Sequence, residues 1–409
     1  MTEHNVRLGF LAYPWDLLDE GPAAAIETMV DRCGCDALLL NANYHHARLL
    51  RPRASGPKTV QLPGAVAAFE PQPDRYGAPD LVPVPDPRLA DARVLDQARA
   101  ACQDRGIDFE LWTVALHNST LGQRRPDLCI RNAWGDVYAY ALCPAQPEVQ
   151  TYARGLVDDI CAQFAPQRLV VEAIGTLGLH HGVHHELFMA PWSEALELLL
   201  SLCFCPACIE RAAAAGVDGE GLRRRVSEWA DRLLAEERGQ GALEFSHGEP
   251  AALLMDLPDL WPFMQQRAAA VTRLVRDLDA VAQAHVVPLR VIPASFHRPT
   301  SRAWLEGASL PELAAACDGL LVPAYFDAPA EVAADLRWAT AHAGEPVAAG
   351  LNAASPTLAD ANALAAQAVA CQAAGCPAVY YYNYGLLTEH RLDWVAQANE
   401  RVRAAESAA

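Results

Sequence analysis

The hydrophobic positions of this chain gather into eight short, nearly unbroken apolar runs, separated by stretches with helical periodicity. The runs are Arg7–Tyr13, Asp36–Asn41, Asp108–Leu116, Arg168–Glu172, His285–Ile292, Asp318–Tyr325, Pro346–Leu351 and Pro377–Tyr382. Their length and continuity suit strands buried on both faces, as in a parallel sheet covered by helices. Helices are expected over Pro22–Cys33, Pro87–Arg105, Pro147–Phe164 and Leu257–Ala284, and over Ala330–Ala343, Thr357–Ala374 and Glu389–Glu406 after the last three runs. Gly106 marks the end of the second helix, and Pro147 suits the first turn of the third. Eight such units predict an α/β chain folded as a (β/α)8 TIM barrel. A doubly wound open sheet would carry a glycine-rich turn after an early strand, and Leu8-Gly9-Phe10 followed by Tyr13-Pro14-Trp15 supplies none.

Two connections exceed what a minimal barrel needs. Residues 44–86, after strand two, are proline-rich and include Lys58–Phe69, expected as a small hairpin. Residues 173–285, after strand four, hold an amphipathic piece, a long helix and three clustered cysteines. Both leave the C-terminal end of the barrel, where such enzymes keep their chemistry. Residues 1–409 are expected to form one catalytic domain with these two excursions.

Composition changes the picture by exclusion. A net charge of −18 argues against nucleic acid and anionic membrane partners, both negatively charged, and fits a small neutral or cationic substrate. The segment Met1–Arg7 lacks the pattern of a secretory signal, and no apolar run is long enough to span a membrane. With twelve cysteines, most of them scattered singly, a soluble protein of the reducing cytoplasm is expected. An alanine-rich surface is compatible with a homo-oligomer.

The cysteines that are not scattered are Cys203-Phe-Cys205-Pro-Ala-Cys208. Three thiols in six residues suit a metal better than disulfides, whose Cα atoms must stand apart. Cys143, in Cys143-Pro144-Ala-Gln-Pro147, is the preferred fourth ligand, with His180, His181, His184 or His185 as substitutes. Four thiols leave no open coordination position, so a structural Zn2+ is expected, with no organic cofactor.

In order and spacing, these motifs resemble the β-galactosidases of glycoside hydrolase family 42. That family carries a Cys-Pro segment before the fourth strand, a catalytic acid at its end, and then Cys-x-Cys-x-x-Cys, with the four thiols holding zinc. Cys143-Pro144, Glu172 and Cys203, Cys205, Cys208 match, within roughly residues 140–215. Two features depart from the family: Val171 replaces the asparagine before the acid, and Gly350–Ser355 has no carboxylate where the strand-seven nucleophile belongs. The resemblance implies a distant glycoside-hydrolase-like barrel acting on a small saccharide or glycoside, and does not carry β-galactosidase activity with it.

Glycoside hydrolysis usually needs two carboxyl groups, one protonated and one ionised. Glu172 is the expected general acid, since a buried strand end raises a carboxyl pKa. Asp327 after strand six and Asp16 after strand one are the leading candidates for its partner, with Glu186 and Glu389 behind them. Substrate hydroxyls are expected to meet His117 and Asn118 after strand three, Asn41 in the rim that includes Asn43, Tyr44, His45 and His46, Tyr325, Asn352, and Asn383 among the tyrosines at 380–384. Arg290, charged on an otherwise apolar strand five, is expected to face Glu172 or a substrate carboxylate. Two rival readings are a sugar isomerase, epimerase or lyase using a rim histidine or a metal held by His117, His184 or His185, and a non-catalytic sugar-binding barrel.

Overall fold

A computed structural model describes residues 5–180, 187–188, 192–235 and 249–408. The eight barrel strands are β1 (Arg7–Ala12), β2 (Ala37–Tyr44), β3 (Asp108–Val114), β4 (Leu169–Glu172), β5 (Leu289–Val291), β6 (Leu321–Pro323), β7 (Ala348–Asn352) and β8 (Ala378–Tyr382). They pair in parallel in the order β5-β4-β3-β2-β1-β8-β7-β6. A parallel bridge between Val291 and Leu320 joins β5 to β6 and closes the ring. The expected (β/α)8 barrel is therefore the fold.

Apolar strands buried throughout, such as β2 and β3, give this barrel its core, and the flanking helices cover the outer face. Gly9 lets the wall close: a Cβ there would lie 2.6 Å from the Ala37 carbonyl and 3.1 Å from the Tyr380 ring. Strand five is shorter than expected because His285 caps the preceding helix, Leu260–Ala284, and Val286 turns out to solvent at φ +60°, so the run 285–288 is the turn that returns the chain to the sheet.

The connections between strands differ from expectation in two places. The hairpin expected over Lys58–Phe69 instead pairs Ala47–Leu50 with Thr59–Leu62, while Val66–Ala67 runs antiparallel to the end of β2. A second hairpin, Cys129–Arg131 with Val137–Leu142, lies between β3 and β4 and leads directly into Cys143. The helices Glu194–Ser201, Pro206–Ala214 and Gly219–Ala235 pack around an apolar core separate from that of the barrel. Among the described residues, no helix is long and apolar enough to cross a membrane.

Candidate functional site

Glu172 ends β4 at the C-terminal mouth of the barrel, half-buried. Desolvation raises its carboxyl to about 7, opposed by the Arg298 guanidinium and reinforced by the negative charge of Glu306. Its electrostatic neighbours include Tyr44, Tyr325 and Tyr382, from the ends of β2, β6 and β8. A chain of hydroxyls crosses this end: Tyr13 donates to Tyr44 at 2.8 Å and lies 2.6 Å from the Tyr382 hydroxyl. Burial first, and then their proximity, push Tyr13 and Tyr44 well above the usual phenol range, so both stay neutral donors. Tyr44, His45 and His117 form a stacked column, with centroids 4.1 and 4.2 Å apart. Tyr140 and Phe296 meet His117 edge-on. A β-bulge between Asn41 and Asn43 shifts the register of β2 against β3 just before this column, the usual device for re-aiming side chains at a barrel rim.

Arg298 comes from the loop Ser295-Phe-His-Arg-Pro299 after β5. Three of its nitrogens donate to carbonyls of Pro323, Phe296 and Ser295 at 3.2–3.3 Å, and the cation lies 4.7 Å from the Tyr325 ring centroid. Glu306 holds this loop, accepting from the amides of Ser295, Phe296 and His297 and from His297 Nδ1. On its other side, His297 meets Glu197 at 3.0 Å. Burial works against ionisation of Glu306, but its hydrogen bonds outweigh that cost and keep it below the usual carboxylate range. His297 is pushed up to about 9 by Glu197 and Glu306 against the opposing effect of burial. Glu306 lies close to Glu172 electrostatically, yet both of its oxygens are occupied and it is a scaffold for Arg298. The sequence signal for this loop is the pair His297-Arg298 shortly after an apolar strand.

The other expected site residues separate into those at the mouth and those elsewhere. Tyr325, Asn352 and His117 stand at strand ends around the mouth. Asn118 instead caps the helix Ser119–Arg124, its Oδ1 accepting from the Leu121 amide and its Nδ2 donating to Tyr152, so its polar atoms serve the fold. Asn41 is buried and donates to the Asn43 and Trp112 carbonyls. Asn383 is fully buried and its Oδ1 accepts from the Gly385 amide. Arg290 does not face Glu172: its electrostatic neighbours are Arg168, Tyr380, Glu110 and Arg7, at the opposite end of the barrel. One residue's place along a strand decides which end a long side chain reaches, and Arg290 sits in the middle of a three-residue strand.

Neither expected partner carboxylate stands beside Glu172. Asp327 is exposed and accepts from Ser355 Oγ at 2.9 Å. Asp16 is buried, 3.7 Å from Arg51, and raised to about 7 by desolvation, with Arg51 opposing. A Cβ on Gly385 would fall 2.0 Å from its carboxyl, so the backbone there covers the group. Asp16 and Glu389 line a separate cavity of about 250 Å3 with Arg51 and Arg53. Of the histidine-rich segment, His180 meets Phe188 and Trp192 edge-on, while His181, His184, His185 and Glu186 lie outside the described residues.

The four expected thiols do come together. The Sγ atoms of Cys143, Cys203, Cys205 and Cys208 all lie within 4.8 Å of one another, with Cys143 at 3.5 Å from Cys208 and 3.7 Å from Cys205. A tetrahedral ion with metal–sulfur bonds near 2.3 Å sets its sulfurs about 3.8 Å apart, so the group fits a bound metal and is too open for a disulfide. Hydrogen bonds from the other three thiols pull Cys205 well below the usual thiol range. Arg267, fully buried beside the cluster, has an Nη1 with no hydrogen-bond partner, which suits a negatively charged group of thiolates. Its other nitrogens bond Thr176 Oγ1 and the Leu305 carbonyl. The Thr176 amide in turn donates to the Glu306 carbonyl. The cluster is thereby braced against the loop that follows Glu172.

This fold is a TIM barrel shared with several solved structures. Three solved structures illustrate the likeness. The PgaB (BpsB) glycoside hydrolase domain from Bordetella bronchiseptica is 14% identical with a TM-score of 0.59, the match covering 98% of each chain. The β-galactosidase from the psychrophilic Marinomonas ef1 is 12% identical with a TM-score of 0.59, over 98% of this chain and 60% of that one. α-L-Fucosidase isoenzyme 2 from Paenibacillus thiaminolyticus is 12% identical with a TM-score of 0.57, over 98% of this chain and 50% of that one. The chain thus spans about half the length of the fucosidase. No protein-family profile and no curated protein matches it. Likeness spread over several hydrolases singles out no family, so the resemblance to family 42 rests on the cysteine and proline motifs.

Proposed function

We propose that the chain is a carbohydrate-active enzyme that cleaves a glycosidic bond of a small saccharide, with Glu172 as the general acid and a structural zinc ion held by Cys143, Cys203, Cys205 and Cys208. The observation that carries this reading is the carboxyl of Glu172, raised to about 7 at the C-terminal end of a barrel strand and ringed by tyrosines. A carboxyl titrating near neutrality is suited to give its proton to a departing glycosidic oxygen. The Tyr13, Tyr44 and Tyr382 hydroxyls and the aromatic column through His45 and His117 supply hydroxyl-binding groups and a stacking wall. Arg298 lies close enough to the acid to steady its ionised form after transfer.

The pH dependence has a definite sign. Glu172 must carry its proton to act, so kcat/KM on a cleaved glycoside is expected to fall as pH rises through about 7. A pH–rate profile with no alkaline limb between pH 6 and 8 would sink that assignment.

Asp16 is not the nucleophile in this reading. A nucleophile must be ionised and reach the sugar, whereas Asp16 is held up to about 7 and covered by Gly385. Asp16→Asn is expected to keep turnover within about tenfold of the parent, less than the loss on removing a catalytic carboxylate. A loss as large as that of Glu172→Gln would restore Asp16 as the partner. The first experiment is a screen of aryl glycosides with the parent and Glu172→Gln. Saccharide binding without any product, in both proteins, would favour the sugar-binding barrel.

A further inference from the structure

The opposite end of the barrel holds a cluster that the reaction at Glu172 does not use. Arg7, Arg168, Arg290 and Arg403, with Asp36, line a depression of about 550 Å3 at the N-terminal ends of the strands. Three of these guanidinium groups have carboxylate partners. Arg7 meets Asp108 at 2.6 Å, Arg168 meets Glu110 at 3.0 Å, and Arg403 pairs with Asp36 and with Glu406. Arg290 does not. It is 9% exposed, it belongs to no ion pair among the described residues, and its Nη1 is buried without a hydrogen-bond partner.

The nearby acid attracts Arg290 but makes no ion pair with it. Glu110 already accepts from Arg168 and Arg7 on one oxygen and from the Tyr380 hydroxyl on the other. Burial and then the positive charge of Arg168 work against the Arg290 cation, and the nearby Tyr380 and Glu110 offset only part of that cost. A buried charge without an ion-pair partner is costly, and its removal from water is fully offset only by a counter-charge with hydrogen bonds. The depression supplies room for one, flanked by three further guanidinium groups.

We propose that this end of the barrel is an anion site, in which a small oxyanion of the phosphate type bridges Arg290 and its arginine neighbours. The fork of a guanidinium matches two oxygens of such an anion better than it matches a halide. The cavity exceeds the size of one phosphate group, so the anionic group of a larger metabolite also fits. The site is independent of the chemistry assigned to Glu172.

Isothermal titration of the full chain with inorganic phosphate, against sodium chloride at matched ionic strength, tests it. The parent is expected to bind phosphate saturably and to gain thermal stability with it, and chloride to do neither. Arg290→Met is expected to weaken binding by about tenfold or more, the scale of a charge-assisted hydrogen bond. Since loss of Arg290 can also disturb folding, Arg403→Ala provides a second variant at the rim, expected to weaken binding by a smaller factor. Acetate in place of phosphate separates a carboxylate preference from a phosphate preference, and saturable binding of either supports an oxyanion site. Absence of saturable binding by the parent to both anions, or unchanged phosphate affinity in both variants, overturns the proposal.

Discussion

Glu172→Gln is expected to lower turnover of a cleaved glycoside by about 100- to 10,000-fold, the range over which a positioned general acid contributes. The effect should fall on kcat with metal content unchanged, because the substitution keeps the side-chain shape and replaces none of the four thiols. Stability supplies an independent sign. The folded-state pKa of Glu172 is raised from 4.5 to about 7, so the native state holds this proton more tightly than the unfolded chain does. Between those values its contribution to stability falls as pH rises, and above about 7 the full cost of a desolvated carboxylate is present. The glutamine variant, which never ionises, is therefore expected to be more stable than the parent at pH 8, by on the order of 1 kcal/mol or more, and to lose that advantage at pH 4. An inactive variant that is also destabilised at pH 8 would indicate a broken fold, and full activity would remove Glu172 from the chemistry.

Cys143→Ser is expected to reduce bound metal from about one ion per chain to near none, measured by elemental analysis of the purified protein. Cys143 is fully buried and lies against Cys205 and Cys208, so no solvent ligand takes its place. Loss of a structural metal is among the largest single-site effects, on the order of 4 kcal/mol or more. Unfolding is expected to begin in the excursion between β4 and β5, whose helices pack around their own core and are tied to the barrel side by Cys143. Activity should fall as well, indirectly, because Arg267 carries the support of the cluster to Thr176 and Leu305, on either side of Glu306 and the Arg298 loop. Unchanged metal content in Cys143→Ser would show that another group is the fourth ligand.

The legibility of this chain follows the range of each interaction. Apolar runs such as Leu38–Leu40 and Val379–Tyr381 declare buried strands because burial on both faces is a local demand on consecutive residues. The four thiols were legible because a tetrahedral metal demands one residue type at short spacing, and the fourth could be sought before the next helix. The hairpin at 129–142 was not legible, since its strands are short and mix polar with apolar residues. The Arg298 loop was missed because its meaning depends on Glu306, eight positions further on, folding back beneath it. The place of Arg290 was not legible, because an apolar context shows that a charge is buried and says nothing of which end of the barrel it reaches.

What the amino-acid sequence by itself determined was the strand and helix order, the barrel, the thiol set and the strand-end position of Glu172, each set by periodicity or spacing along the chain. Only the tertiary structure decided what surrounds that carboxyl, that Asp16 is walled off by Gly385, that Asp327 is exposed, and that Arg290 lies unpaired among arginines at the far end. The division is physical. Secondary structure and metal-ligand spacing are read from residues near one another in sequence, whereas desolvation and charge pairing arise from residues brought together from separate strands and loops, and they set the protonation state on which the proposed chemistry depends.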